Sequence, residues 1–214
     1  MKIGILHPGK MGEIVASTLI KNEHEVLWAS QKSHDELPVP LVGAERSEAT
    51  KNRANALGLK DTKTVSALCE EAEVIFSICV GGVLSFEYDD QGDLNICWPV
   101  ARMLINAGFK GLLVEANDVN MREEDWNDSL GEFREDWETG MKEYVEEQGM
   151  SYVDASLHRF HSFEGYEPWT MFLSGEKADE VKSLITPHMS ATCLEDRSAK
   201  SHRRRILALQ EGRV

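Results

Sequence analysis

The sequence lacks the long apolar run that a membrane-spanning helix requires. Such a helix needs about 20 consecutive apolar residues, and no hydrophobic stretch in the 214 residues approaches that length. The hydrophobic fraction of 42% is ordinary for a folded, soluble protein with one main domain. The first predicted strand begins directly after Met1, so we expect no leader. We therefore expect a soluble, cytoplasmic protein without a membrane partner.

Cysteine and basic residues are also scarce. The four cysteines show no CxxC spacing, so we expect free thiols and no metal site; they are Cys69, Cys79, Cys97 and Cys193. Lys and Arg number 23 against 37 Asp and Glu, which gives a net charge of -14. This balance argues against nucleic acid as a partner, because a phosphate backbone requires a basic protein surface.

The sequence contains an alternation of short apolar runs and helical patterns, which is typical of β-α units with a parallel sheet. The predicted strands are residues 2–6, 25–29, 73–79, 111–115, 151–155 and 169–175. The predicted helices are residues 10–22, 46–57, 65–71 and 99–107. This order predicts an α/β fold with a Rossmann-type, doubly wound and mostly parallel sheet.

Three stretches look inserted between these elements. Residues 33–45 and 81–96 would project from the carboxyl ends of strands, the edge at which open α/β sheets bind ligands. Residues 118–149 are highly acidic and carry large apolar side chains three and four residues apart. This spacing predicts a long amphipathic helix, interrupted near Gly131 or Gly140 and packed on the sheet or on a second subunit.

The first predicted strand ends in a turn with glycines at characteristic positions. In HPGKMG, Gly9 and Gly12 match the second and third glycines of the dinucleotide-binding motif G-x-G-x-x-G, while His7 replaces the first. Pro8 fixes its own φ and pushes His7 toward an extended conformation, so proline holds the turn rigid. A helix that begins near Lys10 would direct its first N–H groups at a phosphate. We predict that residues 7–12, including Met11, bind phosphate, with a plain structural turn as the alternative.

The end of the second strand bears on the choice of cofactor. NAD-binding folds usually place Asp or Glu there to hold the ribose hydroxyls, and this chain has Ala29-Ser30 instead. Four residues could surround a 2′-phosphate, which favours NADP: Ser30, Lys32, Arg46 and Ser47. Asp35 and Glu36 follow closely and weaken that preference, so NAD stays possible. Solvated loop charges are the alternative for Lys32 and Arg46.

These residues resemble the 6-phosphogluconate-dehydrogenase-like NAD(P)-binding oxidoreductases of the β-hydroxyacid dehydrogenase superfamily. The similarity continues through HEVLWAS (24–30), RSEAT (46–50), IFSIC (75–79), AGFKGLLVEAN (107–117), SYVDAS (151–156) and FLSG (172–175). The resemblance implies a Rossmann domain over residues 1–195 that binds NADPH or NADH, with Cys79, Val80 and Asn117 near the cofactor. It also implies that residues 196–214 begin an interdomain helix, after which the helical domain of family members is absent.

The chain departs from the family where substrate would bind. Family members have a segment similar to DAPVSGG, and here it reads DASLHRF, so that His158 replaces the serine. The resemblance makes His158 a candidate proton donor and substrate ligand, with a structural role as the alternative. By approximate alignment with the family's lysine, Lys200 is a second catalytic candidate and Arg203 a candidate for binding an anionic substrate. His158 and His161 have metal-ligand spacing, but no Cys or carboxylate cluster accompanies them.

Together these observations favour an NADP-preferring oxidoreductase that acts as a homodimer. It would transfer a hydride between the nicotinamide and a small carbonyl, hydroxy-acid or imine substrate. One alternative is an NAD(P)-binding sensor or accessory protein without catalysis. Another is a short enzyme resembling the F420-dependent NADP reductases.

Overall fold

The computed structural model describes residues 1–31, 48–78, 85–88, 94–97, 99–117, 142–159, 161–162, 165–166 and 168–194. The strands are β1 (Lys2–Ile5), β2 (Glu25–Trp28), β3 (Lys60–Asp61), β4 (Val74–Ser77), β5 (Ser85–Tyr88), β6 (Leu94–Cys97), β7 (Leu112–Asn117), β8 (Ser151–His158), β9 (His161–Ser162), β10 (Gly165–Tyr166), β11 (Thr170–Ser174) and β12 (Ser190–Leu194). The helices are α1 (Lys10–Lys21), α2 (Glu48–Leu57), α3 (Val65–Glu71), α4 (Pro99–Asn106), α5 (142–147) and α6 (Ala178–Ile185).

Eight of these strands form one sheet in the order β3-β2-β1-β4-β7-β8-β11-β12. The strands from β3 to β8 are parallel, β11 is antiparallel to β8, and β12 is parallel to β11. From β1 the chain builds outward to β3 and then returns to place β4 on the other side of β1. The order of strands therefore reverses between β1 and β4, which is the position where doubly wound sheets bind ligands. The predicted Rossmann-type fold is confirmed.

Helices cover both faces of the sheet. On one face α1 and α6 share a hydrophobic core, to which they contribute Val15, Leu19, Val181 and Ile185. The side-chain amide of Asn22, at the end of α1, donates a hydrogen bond of 2.8 Å to the carbonyl of Leu184 in α6. On the other face α3, α4 and α5 bury a second core, which includes Leu68, Leu104 and Val145. The two cores fix the sheet between two helical layers.

The predicted elements agree with the structure to within a few residues. Each of the six predicted strands and four predicted helices has a counterpart. The elements without a predicted counterpart are β3, β9, β10, α6 and β12. Residues 81–96 were predicted as an insertion, and there the structure pairs β5 with β6 in an antiparallel arrangement. Two residues are too few to show a strand period, which explains the omission of β3. By contrast, α6 could have been predicted, because its buried residues recur at helical spacing: Ala178, Val181, Leu184 and Ile185.

Several predictions concern segments that the structure describes only in part. Of the acidic stretch 118–149, residues 142–147 are helical and 118–141 lie outside the described residues. The domain boundary at 195 and the extension 196–214 also lie outside them and stay predictions. Cys69 and Cys193 are free thiols, as expected. Among the described helices, none combines the length and apolar character that crossing a membrane requires.

Candidate functional site

Parallel pairing brings several of the predicted site residues to one edge of the sheet. The turn after Ile5, Ser30 after β2, Asn117 at the end of β7 and His158 at the end of β8 all lie at the carboxyl ends of parallel strands. β8 is three strands away from β1, which corresponds to about 14 Å across the sheet. The turn and His158 therefore share an edge without being neighbours.

The turn between β1 and α1 closes around Pro8. The Gly9 N–H donates a hydrogen bond of 2.8 Å to the carbonyl of His7, which is the pattern of a γ-turn centred on Pro8. The φ that proline imposes suits the inverse form of this turn. The Glu13 N–H then donates to the Gly9 carbonyl at 2.8 Å and begins α1. The Gly9 amide is thus committed internally, and the donors left for an anion are the N–H groups of the first turn of α1, at residues 10–12.

Both glycines of the turn stand where a side chain would meet His7. A Cβ on Gly12 would lie 2.2 Å from the His7 carbonyl oxygen, so α1 can pack this closely on the turn only with glycine there. A Cβ on Gly9 would lie 2.8 Å from Nε2 of His7, because the imidazole folds over Gly9. At Gly12 the obstacle is a backbone atom, whereas at Gly9 it is a side-chain ring that can rotate. Gly12 is therefore required by packing, whereas the space over Gly9 can be opened by a rotation of His7.

Arg53 of α2 reaches the turn, a contact that the sequence does not predict. Its Nε donates a hydrogen bond of 3.3 Å to the carbonyl of Pro8 and lies 4.0 Å from the Glu13 carboxylate. The Arg53 side chain is 27% exposed, so its charge is only partly screened by water. The contact ties α2 to the turn and places a cation beside the first turn of α1.

At the end of β2, Ser30 is bonded to a carboxylate from the neighbouring strand. The Ser30 N–H donates to Oδ1 of Asp61 at 3.1 Å, and the Ser30 hydroxyl donates to Oδ2 at 2.7 Å. Asp61 lies opposite Trp28 in the pairing of β2 with β3. The sequence at the end of β2 itself carries no carboxylate, because Asp61 is 31 residues away along the chain. It enters the site only through the pairing of β3.

Lys63 completes the bonding of Asp61. Its backbone N–H donates to Oδ1 at 2.9 Å and its ammonium group pairs with Oδ2. Burial alone would raise the pKa of Asp61, but the hydrogen bonds from Lys63 and Ser30 outweigh it and hold the pKa below its usual value. Lys63 has a left-handed φ of 71°, and the bond from its N–H to Asp61 supports that conformation. The carboxylate is ionised and engaged by four donors.

A row of buried polar side chains crosses the sheet near the same edge. Ser77, Glu115, Asp154 and Ser174 are partners in register on β4, β7, β8 and β11. Each is at most 3% exposed. Register partners point to the same side of a sheet, and Ile75, two residues before Ser77, belongs to the core on the α3 and α4 face. The row therefore places two carboxyl groups side by side within that face.

Glu115 is the most strongly perturbed group of the row. The Ser77 hydroxyl donates to its Oε1 at 3.2 Å, whereas Oε2 has no hydrogen-bond partner among the described residues. Burial raises the pKa of Glu115 to about 8, against the smaller effect of the Ser77 hydrogen bond. Glu115 is therefore mostly protonated at neutral pH. The sequence assigned it to a strand end and gave no sign of its complete burial.

A groove of about 370 Å³ lies beside α1 rather than at the sheet edge. Apolar and charged side chains line it together, among them Ile14, Lys21, Leu57, Trp169 and Met189. It does not include the turn at residues 7–9. The groove is therefore distinct from the candidate site at the switch point.

The remaining predicted site residues lie outside the described part of the chain. These are Lys32, Arg46, Ser47, Cys79, Val80, Lys200 and Arg203. For His158 and Asn117 the structure describes the strand position but not the side chain. Within the described residues, no group of three or more His, Cys, Asp or Glu side chains is arranged to hold a metal ion.

No family model and no curated protein matches this chain. Solved structures match it in fold. A conserved protein of unknown function, described as similar to 3-hydroxyacid dehydrogenases, has a TM-score of 0.62 at 16% identity, over 97% of this chain and 62% of that one. The 3-hydroxyisobutyrate dehydrogenase of Mycobacterium tuberculosis, solved with L-serine, has a TM-score of 0.56 at 14% identity, over 98% and 61%.

Imine reductases match in the same way. The enzyme of Myxococcus stipitatus in complex with NADP+ has a TM-score of 0.52 at 16% identity, over 99% of this chain and 61% of that one. A variant of it is described in complex with NAD+. This chain shares its fold with part of each of these structures, and it spans 61–62% of their length. At 14–16% identity these matches show a shared fold.

Proposed function

We propose that this chain binds a nicotinamide dinucleotide and transfers a hydride between it and a small carbonyl, hydroxy-acid or imine substrate. The observation that supports this most is the position of the glycine turn. It opens α1 at the switch point between β1 and β4, in a sheet whose parallel strands follow the order of dinucleotide-binding folds. The dehydrogenases and imine reductases that share the fold support the same class of reaction.

The described residues fit the diphosphate of such a cofactor. The N–H groups at the start of α1 and the positive end of its dipole attract an anion. Gly9 lets the backbone approach it, and Arg53 adds a cation nearby. The Pro8 γ-turn holds these donors in place before any ligand arrives, which reduces the entropy lost on binding. His7 lies over the turn and moves aside or contacts the phosphate.

A bound nicotinamide supplies the hydride, and the chain must supply a proton to the reduced oxygen or nitrogen. His158 is our candidate for that proton, because β8 brings it to the same edge as the turn. Lys200 and Arg203 stay candidates for catalysis and for binding an anionic substrate. Asn117, at the end of β7, is proposed to contact the nicotinamide.

The sequence predicts NADP as the preferred cofactor, and this stays a prediction. Lys32, Arg46 and Ser47 lie outside the described residues, and Ser30 commits both of its donors to Asp61. The homodimer and the cytoplasmic location also stay predictions. Sedimentation of the purified chain, with and without cofactor, measures the subunit count.

Replacement of Gly9 by alanine tests the site without breaking the fold. Its φ of -72° suits any residue, and the methyl group would displace only the His7 ring. We expect affinity for both NADH and NADPH to fall by about tenfold or more, since the methyl occupies the space that the diphosphate needs. Nicotinamide fluorescence gives the dissociation constants, and the melting temperature should change little.

The same titration decides the proposal for the wild-type chain. If neither NADH nor NADPH binds, the proposed function is wrong. If both bind and no hydride reaches any member of a broad carbonyl and imine panel, the alternative of a binding protein without catalysis is correct. Oxidation of the cofactor, followed at 340 nm with that panel, is the measurement.

A further inference from the structure

At the sheet edge, Ser30, Asp61 and Lys63 form a trio joined by hydrogen bonds and an ion pair. We propose that Asp61 makes the site select NAD(H), whose adenosine ribose carries no phosphate, over NADP(H). Asp61 accepts the Ser30 hydroxyl proton, and its negative charge repels a 2′-phosphate. This inference rests on the proposed function, because it concerns the cofactor of the same site. It reverses the preference that the sequence predicts.

The position of the trio is that of the adenosine ribose in a dinucleotide-binding fold. The ribose lies beyond the carboxyl end of β2, and Ser30 follows that end by two residues. Backbone bonds hold the neighbouring segment in place. The Thr62 N–H donates to the Trp28 carbonyl at 2.9 Å, and the Gln31 N–H donates to the Lys63 carbonyl at 2.7 Å. The trio is therefore a rigid part of the fold.

The direction of the Ser30 hydrogen bonds decides what the residue can recognise. Its hydroxyl proton points to Oδ2 of Asp61 and its backbone N–H to Oδ1. Only the lone pairs of the hydroxyl oxygen are left, and they accept hydrogen bonds. A ribose 2′-hydroxyl can donate to them. A 2′-phosphate ester near neutral pH offers mainly acceptor oxygens, so Ser30 has no hydrogen bond to donate to it.

Charge acts in the same direction. Asp61 is ionised and its side chain is 23% exposed, so a 2′-phosphate would approach a partly desolvated like charge. Lys63 is the one described cation of the trio, and its ammonium group is already paired with Asp61. Recruiting Lys63 to a phosphate would strip Asp61 of its cation beside a dianion. The net charge of the paired trio is near zero, which suits a neutral ribose.

Replacement of Asp61 by asparagine tests the inference. The asparagine oxygen can still accept from the backbone N–H groups, while its amide donates to Ser30 and frees the hydroxyl proton for a phosphate. We expect the wild type to bind NADH more tightly than NADPH. In Asp61→Asn the ratio of the two dissociation constants should shift toward NADPH by about tenfold, the size of one unit charge removed near a dianion. Glu180→Gln removes a charge on α6, far from the edge, and should leave the ratio unchanged.

Ser30→Ala provides an independent measurement if Asp61→Asn does not fold. It removes the acceptor oxygen, so affinity for NADH should fall severalfold while affinity for NADPH changes little. Tighter wild-type binding of NADPH, an unchanged ratio in Asp61→Asn, or a larger loss of NADPH than of NADH affinity in Ser30→Ala would each overturn the inference. Failure of both cofactors to bind the wild type would instead reject the proposed function.

Discussion

Replacement of Gly12 by alanine is expected to lower the melting temperature by roughly 6–12 °C and to abolish dinucleotide binding. The added Cβ would lie 2.2 Å from the His7 carbonyl oxygen, and that oxygen belongs to the backbone of the turn. Either α1 or the turn must move to relieve the overlap. Overpacking of this kind costs about 3 kcal/mol, and each kcal/mol corresponds to about 2–4 °C in a chain of this size.

Gly9→Ala is the matched control for this change. Both variants add one methyl group to the same turn, but the methyl at Gly9 would meet the movable imidazole of His7. We expect Gly9→Ala to lose affinity at nearly unchanged stability and Gly12→Ala to lose both. Calorimetry and nicotinamide fluorescence on the two variants separate these effects. A stable Gly12→Ala protein would show that the turn and α1 are less tightly packed than described.

Replacement of Glu115 by glutamine is expected to stabilise the protein at alkaline pH. The pKa of Glu115 is about 8 in the folded chain, well above that of an exposed carboxyl group. A raised pKa means that the stability of the protonated, folded form is fully present below the unfolded pKa and is lost as pH rises through about 8. Each pKa unit corresponds to about 1.4 kcal/mol, so the difference reaches a few kcal/mol above pH 8. Near pH 4 the variant and the wild type should be equally stable.

Glu71→Gln shows the opposite dependence and serves as the control. Hydrogen bonds from Lys2 and Lys60 hold the pKa of Glu71 at about 2. This lowered pKa contributes stability that is present above the unfolded pKa and is lost only as pH falls through about 2. Unfolding by urea between pH 5 and 9 should therefore show a pH slope that Glu115→Gln removes and Glu71→Gln leaves in place. An unchanged slope in Glu115→Gln would show that Glu115 is already ionised in the folded chain.

The sequence was sufficient for the parallel strands because each is buried on both faces and reads as a short apolar run. Val74, Ile75 and Phe76 are at most 1% exposed and were readily assigned to a strand. β3 is different, since Lys60 and Asp61 are polar and form a strand only through their pairing with β2. A pairing between distant segments leaves no local pattern in such a short element. β3, which the sequence did not predict, carries Asp61, the carboxylate that bonds Ser30 at the end of β2.

The candidate site shows the same division between local and distant information. The roles of Pro8 and Gly12 follow from their own chemistry and could be predicted from six consecutive residues. The contact of Arg53 with the Pro8 carbonyl and the burial of Glu115 depend on how separate elements pack. A charged residue at the end of a strand is usually solvated. Only the register of β4, β7 and β8 shows that Glu115 is enclosed.

The bond between Asn22 and the Leu184 carbonyl joins residues 162 positions apart. It has a consequence for synthesis on the ribosome, where the amino-terminal half emerges first. Val15 and Leu19 pack with Val181 and Ile185 in one core. The apolar side of α1 therefore stays exposed to solvent until α6 has been synthesised. A nascent chain that stalls before residue 178 would present that surface to chaperones or to other unfinished copies.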